Sequence, residues 1–362
     1  MNTEVKFEAV GVVNFDHWKE AKRFSYVPPA LDSNAIELKI EVCGVCGSDI
    51  HAAAGHWGKL YTPLAVGHEI VGKITAMGDK VDKTKFHIGD RVGVGAQTDS
   101  CGDCRRCSRG LQQSCKDSVL TYMSIDKKNG FKTQGGYASH IRANSGFVFK
   151  IPENMDSAIA APLLCGGITG FRPLMTAGVK EGTRVGIVGV GGIGHMSIQF
   201  AKALGAEVTA ISRSDRKYED AKKLGADHYI ATAKEGSLDK HEESLDVIVM
   251  TTSSFSQNDI EKTLSLLMAG GRLIFITAPP ADEKLILTPF TMLLNQYHVG
   301  GSCIGSPKDI EYMLKLASEK DIKPWVQRVN ISEENVSDVW QKMVDGDVRY
   351  RYVFDGYDEY FK

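Results

Sequence analysis

The stretch RVGIVGVGGIG, residues 184–194, constrains this chain more than any other. A short apolar strand, Arg184–Val188, runs into Gly189, Gly191 and Gly194 at the spacing G-x-G-x-x-G. A helical pattern follows in HMSIQFAKALG, where Met196, Phe200 and Leu204 share one face. In such a turn the first glycine permits the tight reversal, the second lets a pyrophosphate approach the backbone, and the third lets helix and strand pack closely. The free N–H groups at the start of the helix favour an anion. Gly189, Gly191, Gly192, Ile193 and Gly194 are therefore expected to hold the phosphates of a dinucleotide. Glycine-rich turns also occur only for packing, and the strand–turn–helix context is what separates the two cases.

The same alternation continues beyond the turn. EVTAI reads as a strand, 218–224 as a helix ended by Gly225, and 246–250 as a strand. A helix is expected over 260–268, then a break at Gly270–Gly271 and a strand over 272–277. This is the signature of a doubly wound parallel sheet. Upstream the texture differs: AIELKIEV (35–42) alternates as a half-buried strand should, and IVGKITAMG and GDRVGVG are short strands punctuated by glycine. With 362 residues two domains are expected. The predicted organisation is an α/β protein: a β-rich domain from 1–156 and 305–362, interrupted by a doubly wound nucleotide domain over 157–304. The stretch 151–178 reads as a linker followed by helix.

Composition narrows the function classes. The 43 basic and 45 acidic side chains nearly cancel, giving a formal charge of −2, so nothing points to nucleic acid or to an anionic membrane surface. No basic segment with an apolar core opens the chain, and no apolar run approaches about 18 residues. Eight cysteines without a secretory signal argue for thiols in a reducing compartment. A cytoplasmic enzyme is the expectation.

The cysteines fall into a pattern. Cys101, Cys104, Cys107 and Cys115 lie in CGDCRRCSRGLQQSC, the first three separated by two residues each. Four soft ligands from one loop match a closed tetrahedral zinc site. Such short spacings suit neighbouring disulfides poorly. A second group stands in EVCGVCGSDIHAAAGHWGKLYTPLAVGHE, where Cys46 and His68 are candidate ligands of a catalytic zinc, with Glu69 beside them. Ser48 and His51 are candidates to move a proton. Ser48 and Asp49 are expected to cap a short helix beginning near Ile50. A catalytic zinc keeps three protein ligands and one open position. Spacing alone leaves Cys43, Cys165 and Cys303 open as the third, although Cys43 alternates with strand residues as a packed thiol would.

The end of the second strand of the nucleotide domain discriminates between cofactors. NAD sites usually place Asp or Glu about 20 residues past the motif. Here EVTAISRSDRK puts Ser212 there, followed by Arg213 and, shortly after, Lys217. A hydroxyl and two cations suit the 2′-phosphate of NADP. Asp215 is the one residue against this reading.

CGVCGSDIH, GHE, the four-cysteine loop and VGIVGVGGIGHM together resemble the zinc-dependent medium-chain alcohol dehydrogenases over essentially the whole chain. AAGHWG, VGHEIVGK, QGGYA, APLLCGG and DVRYRYVF resemble their cinnamyl alcohol dehydrogenase branch, in particular a fungal NADP-dependent group of broad specificity. The resemblance implies a GroES-like catalytic domain and a Rossmann domain, with two zinc ions per chain, NADP(H) and a homodimer. It implies Cys46, His68 and Cys165 as ligands of the catalytic zinc, with Glu69 able to approach the metal. Cys101, Cys104, Cys107 and Cys115 would bind the structural zinc, and Ser48 with His51 would form a proton relay. The implied reaction is hydride exchange between NADPH and aromatic or aliphatic aldehydes, yielding primary alcohols. His56, Trp57 and Tyr122 are candidates for the substrate pocket, since aromatic walls suit such aldehydes. Two other readings stand beside it: an NAD-dependent zinc polyol dehydrogenase, and a nucleotide-binding relative without catalysis.

Overall fold

The computed structural model describes residues 5–252, 254–277 and 284–362. The first four residues of the expected first domain lie outside it. The chain divides into two compact units, one of residues 1–165, 305–319 and 323–362, the other of residues 166–304 and 320–322.

The first unit is built on the strand Ala35–Gly44. Ile36, Leu38 and Ile40 point into the core while Lys39 is exposed, so the alternation read from AIELKIEV is realised. Beyond Val42 both faces of the strand are covered. Antiparallel to it runs Ile70–Met77, with Cys43 opposite Ile70. Along its other edge lie His140–Asn144 and Arg351–Asp355, the latter placing Phe354 opposite Cys43. Arg91–Val94, Val148–Lys150 and Val326–Asn330 complete a seven-stranded sheet. Phe354 and Tyr137 meet edge to face at 5.0 Å in the core of this unit. The helix Glu333–Asp345 buries Val336, Val339 and Trp340 in the same core. Ser332 caps it by accepting from Asn335 N, and Gly346 ends it at φ 74°.

Residues 151–156 are non-helical and lead into one helix of 20 residues, Ser157–Thr176, the linker and helix that the sequence implied. Asp156 caps it, accepting from Ala158 N, and a π-type turn over Leu163–Gly167 interrupts it. Among the described residues it is the one helix long and apolar enough to cross a membrane, but most of it is buried within the protein, as for a core helix.

In the second unit six parallel strands are Arg184–Val188, Glu207–Ser212, His228–Ala231, Leu245–Met250, Leu267–Phe275 and His298–Gly301. Their spatial order is third, second, first, fourth, fifth, sixth. That order reverses between the first and fourth strands, the doubly wound arrangement in which nucleotides bind at the carboxyl ends of the strands. Met196 and Phe200 are fully buried, as expected for the inner face of the helix Gly194–Ala203. One expected stretch differs. The helix runs over Gln257–Ser265, fixed by a capping box between Ser256 and Asp259. Gly270 and Gly271 then lie inside a strand, where Leu267–Arg272 stands opposite only Leu245–Val247. Pairing with the neighbouring strand absorbs the two glycines as a bulge.

Candidate active site and nucleotide site

Three strand ends deliver the side chains of the first site. Ala35–Gly44 hands over to Cys46, Ile70–Met77 begins just after His68 and Glu69, and Arg351 opens the third. Gly44 N donates to Glu69 O at 2.8 Å and Val45 N to Tyr352 O at 2.9 Å, so the register of the sheet sets where these segments meet. Cys165 joins them from the π-type turn of the long helix, and such turns recur at functional sites. The ligand atoms of Cys46, His68, Glu69 and Cys165 all lie within 4.8 Å of one another, and all four residues are buried.

Behind this cluster sits Asp49, wholly buried. Its carboxylate accepts from Cys46 N (2.8 Å), Gly67 N (3.1 Å), Tyr122 Oη (2.7 Å) and Tyr137 Oη (3.2 Å). Its Oδ1 also lies 3.8 Å from His68 Nδ1. The short helix is Gly47–Ala53, capped at Cys46 with Asp49 reaching back to the Cys46 N–H. The expected cap at Ser48 is thus displaced by two residues, which leaves Ser48 half-exposed on the first turn. Tyr122, expected in the substrate pocket, stacks on His68 at 5.2 Å and 13° while its hydroxyl is held by Asp49.

The donor set fits a zinc ion. His68 Nε2 is buried with no hydrogen-bond partner, although Nδ1 faces Asp49. An orphaned imidazole nitrogen beside two thiols is what a metal ligand presents before its metal arrives, and a carboxylate on the far nitrogen is the usual outer partner. Burial pulls the basicity of His68 down, but the Asp49 carboxylate and Cys46 outweigh it and hold the ring up to about 9. The thiol of Cys165 and then His68 hold Cys46 well below the usual thiol range, while Cys46 and then burial push Cys165 well above it. The pocket therefore favours a thiolate beside a cation.

Glu69 and Arg351 form a buried ion pair, a partner that motif reading did not find. Burial raises the Glu69 carboxyl, and the Arg351 guanidinium opposes that rise. Gly44 makes room for the pair, since a Cβ there would lie 2.1 Å from Glu69 Oε2. The one local signal for Arg351 was a charge leading into the apolar run Tyr352–Phe354.

The second cluster is the cysteine loop. Cys101–Cys107, Cys104–Cys107, Cys104–Cys115 and Cys115–Cys101 sulfurs are 3.8, 3.6, 3.9 and 3.4 Å apart. Tetrahedral zinc with bonds of about 2.3 Å spaces its sulfurs by about 3.8 Å, so the four thiols already stand at ligand spacing. All eight cysteines are free, and no disulfide competes. The N–H of Cys107 draws the Cys104 thiol down to about 7, favouring the thiolate a metal needs.

In the second unit the glycine turn has the shape its spacing implied. Gly189 sits at φ +94°, and a Cβ on Gly194 would lie 1.8 Å from Gly189 O, whereas a Cβ on Gly191 would meet nothing within 4 Å. The first and third glycines are thus required by the turn and the packing, and the second faces open space, where a phosphate can approach. Thr251 Oγ1 pins the turn through the carbonyls of Val188 and Gly189, both at 2.8 Å. His195 is buried, its Nδ1 2.9 Å from Gly191 O, which places it behind the turn. At the end of the second strand Ser212 is half-buried and Arg213 exposed, with Lys217 closing the short turn Asp215–Lys217. Asp215, the residue that spoke against NADP, is engaged by Lys234 at 2.7 Å.

A strand-built unit holding two zinc-type clusters, together with a nucleotide-binding sheet, defines the class of zinc-dependent dehydrogenases. Residues 32–153 match the alcohol dehydrogenase GroES-like domain and residues 192–319 the zinc-binding dehydrogenase domain. The chain is 46% identical to NADP-dependent alcohol dehydrogenase 6 of Saccharomyces cerevisiae, over 100% of its own length and 99% of that protein. A cinnamyl alcohol dehydrogenase of Sorghum bicolor superposes with a TM-score of 0.90 at 32% identity, covering 97% of this chain and 98% of its own. The Helicobacter pylori cinnamyl alcohol dehydrogenase complexed with NADP(H) gives 0.88 at 30% identity, covering 98% and 99%. The chain belongs to the zinc-dependent alcohol dehydrogenase family, with a GroES-like and a Rossmann-type part.

The two clusters predict separable variants. Cys46→Ser should lower turnover by more than about a hundredfold, beyond the range for loss of an outer partner, with thermal stability nearly intact. Cys115→Ser should lower the melting temperature while residual folded enzyme keeps its turnover per bound zinc. Equal effects of both variants on stability and turnover would contradict the assignment.

Proposed function

We propose that this protein is an NADP(H)-dependent zinc alcohol dehydrogenase. It interconverts aldehydes, aromatic of the cinnamyl type or aliphatic, with their primary alcohols. The observation that carries the reading is the buried constellation of Cys46, His68, Glu69 and Cys165 in one unit of a chain whose other unit carries the dinucleotide turn. Cys46, His68 and Cys165 would hold the catalytic zinc, and the four thiols of Cys101, Cys104, Cys107 and Cys115 the structural one. When bound, zinc supplies a Lewis acid for the substrate oxygen, and the nicotinamide supplies or accepts the hydride.

The chain's own residues do the rest. Asp49 and Tyr122 hold His68 in one orientation, by charge on one side and stacking on the other. Glu69, paired with Arg351, is a carboxylate beside the ligands that can approach the metal position as substrate and water exchange. Ser48 and His51 stand three residues apart on the helix Gly47–Ala53, hence on one face, where a proton can pass between the substrate oxygen and the imidazole. Gly189, Gly191, Gly192, Ile193 and Gly194 cradle the pyrophosphate, and Ser212, Arg213 and Lys217 receive the 2′-phosphate. Trp57, 47% exposed, offers an aromatic wall. The free thiols suit the cytoplasm.

A homodimer fits the second unit. Among the described residues the outer edge of the strand His298–Gly301 has no partner strand. The helix Pro289–Asn295 leaves Phe290, Leu293 and Leu294 at 67, 72 and 62% exposure. An open strand edge and an apolar helix face in the same unit are features that proteins normally cover.

A panel of aldehydes and polyols assayed with both cofactors tests the activity: NADPH should support aldehyde reduction, and no turnover of any aldehyde would overturn it. Arg213→Ala should raise KM for NADPH by about tenfold or more, as loss of a charge-assisted phosphate contact does, and leave KM for NADH little changed. Equal shifts would remove the phosphate role. For the dimer, sedimentation should give twice the chain mass for the native protein and the single-chain mass for the Phe290→Glu, Leu293→Glu double variant. A monomeric native protein would contradict it.

A further inference from the structure

The turn after the helix Gly47–Ala53 brings a second imidazole to His51. Nδ1 of His51 and Nδ1 of His56 are 3.0 Å apart, with ring centroids 5.3 Å apart and planes inclined by 56°. Two ring nitrogens at that distance are joined by one proton, with one ring donating and the other accepting. The indole of Trp57 stacks on His51 at 5.2 Å and 26°, which restrains the ring that must keep this contact. The pair is graded in exposure: His51 is half-buried, whereas His56 and Trp57 are exposed. Burial, and then the neighbouring His56, lower the basicity of His51 against the pull of Cys46, so the inner ring favours neutrality. The nearby cation Lys59 is tied to Asp16 at 2.8 Å and does not compete for the rings. A half-buried inner ring and an exposed outer ring, sharing one proton, have the layout of a two-stage carrier.

We propose that His56 is the outer proton carrier of the reaction, exchanging protons with water and passing them to His51 through the Nδ1–Nδ1 contact. The inference rests on His51 being the inner relay group, as assigned above. In aldehyde reduction the Nε2–H bond of His51 breaks as its proton moves toward Ser48. The Nδ1–H bond of His56 breaks as a new one forms at His51 Nδ1, and Nε2 of His56 takes a proton from solvent. One proton enters at the outer ring for each one delivered inside, no electrons change hands, and uptake of a water proton at one ring nitrogen with release from the other restores the starting tautomers. Alcohol oxidation runs the same transfers in reverse.

The test uses the zinc-loaded enzyme and single turnovers of NADPH with an aldehyde, with proton uptake followed by a pH-indicator dye. His56→Gln should slow proton uptake by at least about tenfold in a weakly carrying buffer, within the range that positioned proton transfer supplies. Added imidazole should restore it. Because His56 is exposed, the variant tests the carrier and not the core. In the resting enzyme, nitrogen NMR should detect coupling across the shared proton between the two rings, lost in His56→Gln. Unchanged uptake in His56→Gln, slow uptake that imidazole does not rescue, or absence of the coupling would each overturn the proposal. His51→Gln separates this from the reading beneath it: slowed uptake there with normal uptake in His56→Gln removes only the outer carrier. Normal uptake in His51→Gln removes the relay itself.

Discussion

A carboxylate with no access to water, Asp49, holds the first site together. It takes hydrogen bonds from the main chain at Cys46 and Gly67 and from the hydroxyls of Tyr122 and Tyr137, and it faces the inner nitrogen of His68. An isolated buried charge costs several kcal/mol; four donors and an imidazole offset that cost only when all of them are in place. The cost therefore acts as a geometric condition. The segment bearing Cys46 and the one bearing His68 must meet around Asp49 or leave it unsatisfied. One group thus sets the cap of the short helix, the angle of an imidazole and the spacing of two metal donors.

The sheet enforces the same convergence from the other side. Cys43 is paired with Ile70 on one neighbour and with Phe354 on the other, so the strand ends carrying Cys46, Glu69 and Arg351 are in register by construction. A one-residue slip would turn every side chain of a strand to the opposite face and separate the Glu69–Arg351 pair. Replacing such a pair with apolar residues is often neutral or stabilising, so it is better understood as specifying the register and keeping a charge beside the metal donors than as a source of stability.

Much of this was legible in the chain because it is local. The four-cysteine loop and the glycine turn carry their chemistry within fifteen residues or fewer, where ligand spacing and backbone conformation are dictated by neighbours. Cys165 could be singled out only by resemblance, since a π-type turn in a helix leaves no spacing signature. Arg351 stands 282 residues from Glu69, and only strand pairing brings them together. Asp49 looked like a capping residue, which it is, but acceptance of bonds from three further segments is not a sequence pattern. The helix over Ser157–Thr176 was legible despite Pro162, Gly166 and Gly167, whose weak helical propensity burial overrides. Gly270 and Gly271 looked like a break, but a paired strand tolerates as a bulge what an isolated segment would not. The pairing of His51 with His56 depends on a tight turn whose path the residues do not announce.

The account turns on two zinc sites of different composition, one of four thiolates and one of two thiolates with an imidazole and an oxygen donor. Zinc X-ray absorption on the purified protein, normalised to metal content, reads this directly. The prediction is two zinc ions per chain with, on average, three sulfur neighbours at about 2.3 Å and one lighter neighbour per zinc. A single zinc per chain, or an average of four sulfurs, would contradict it.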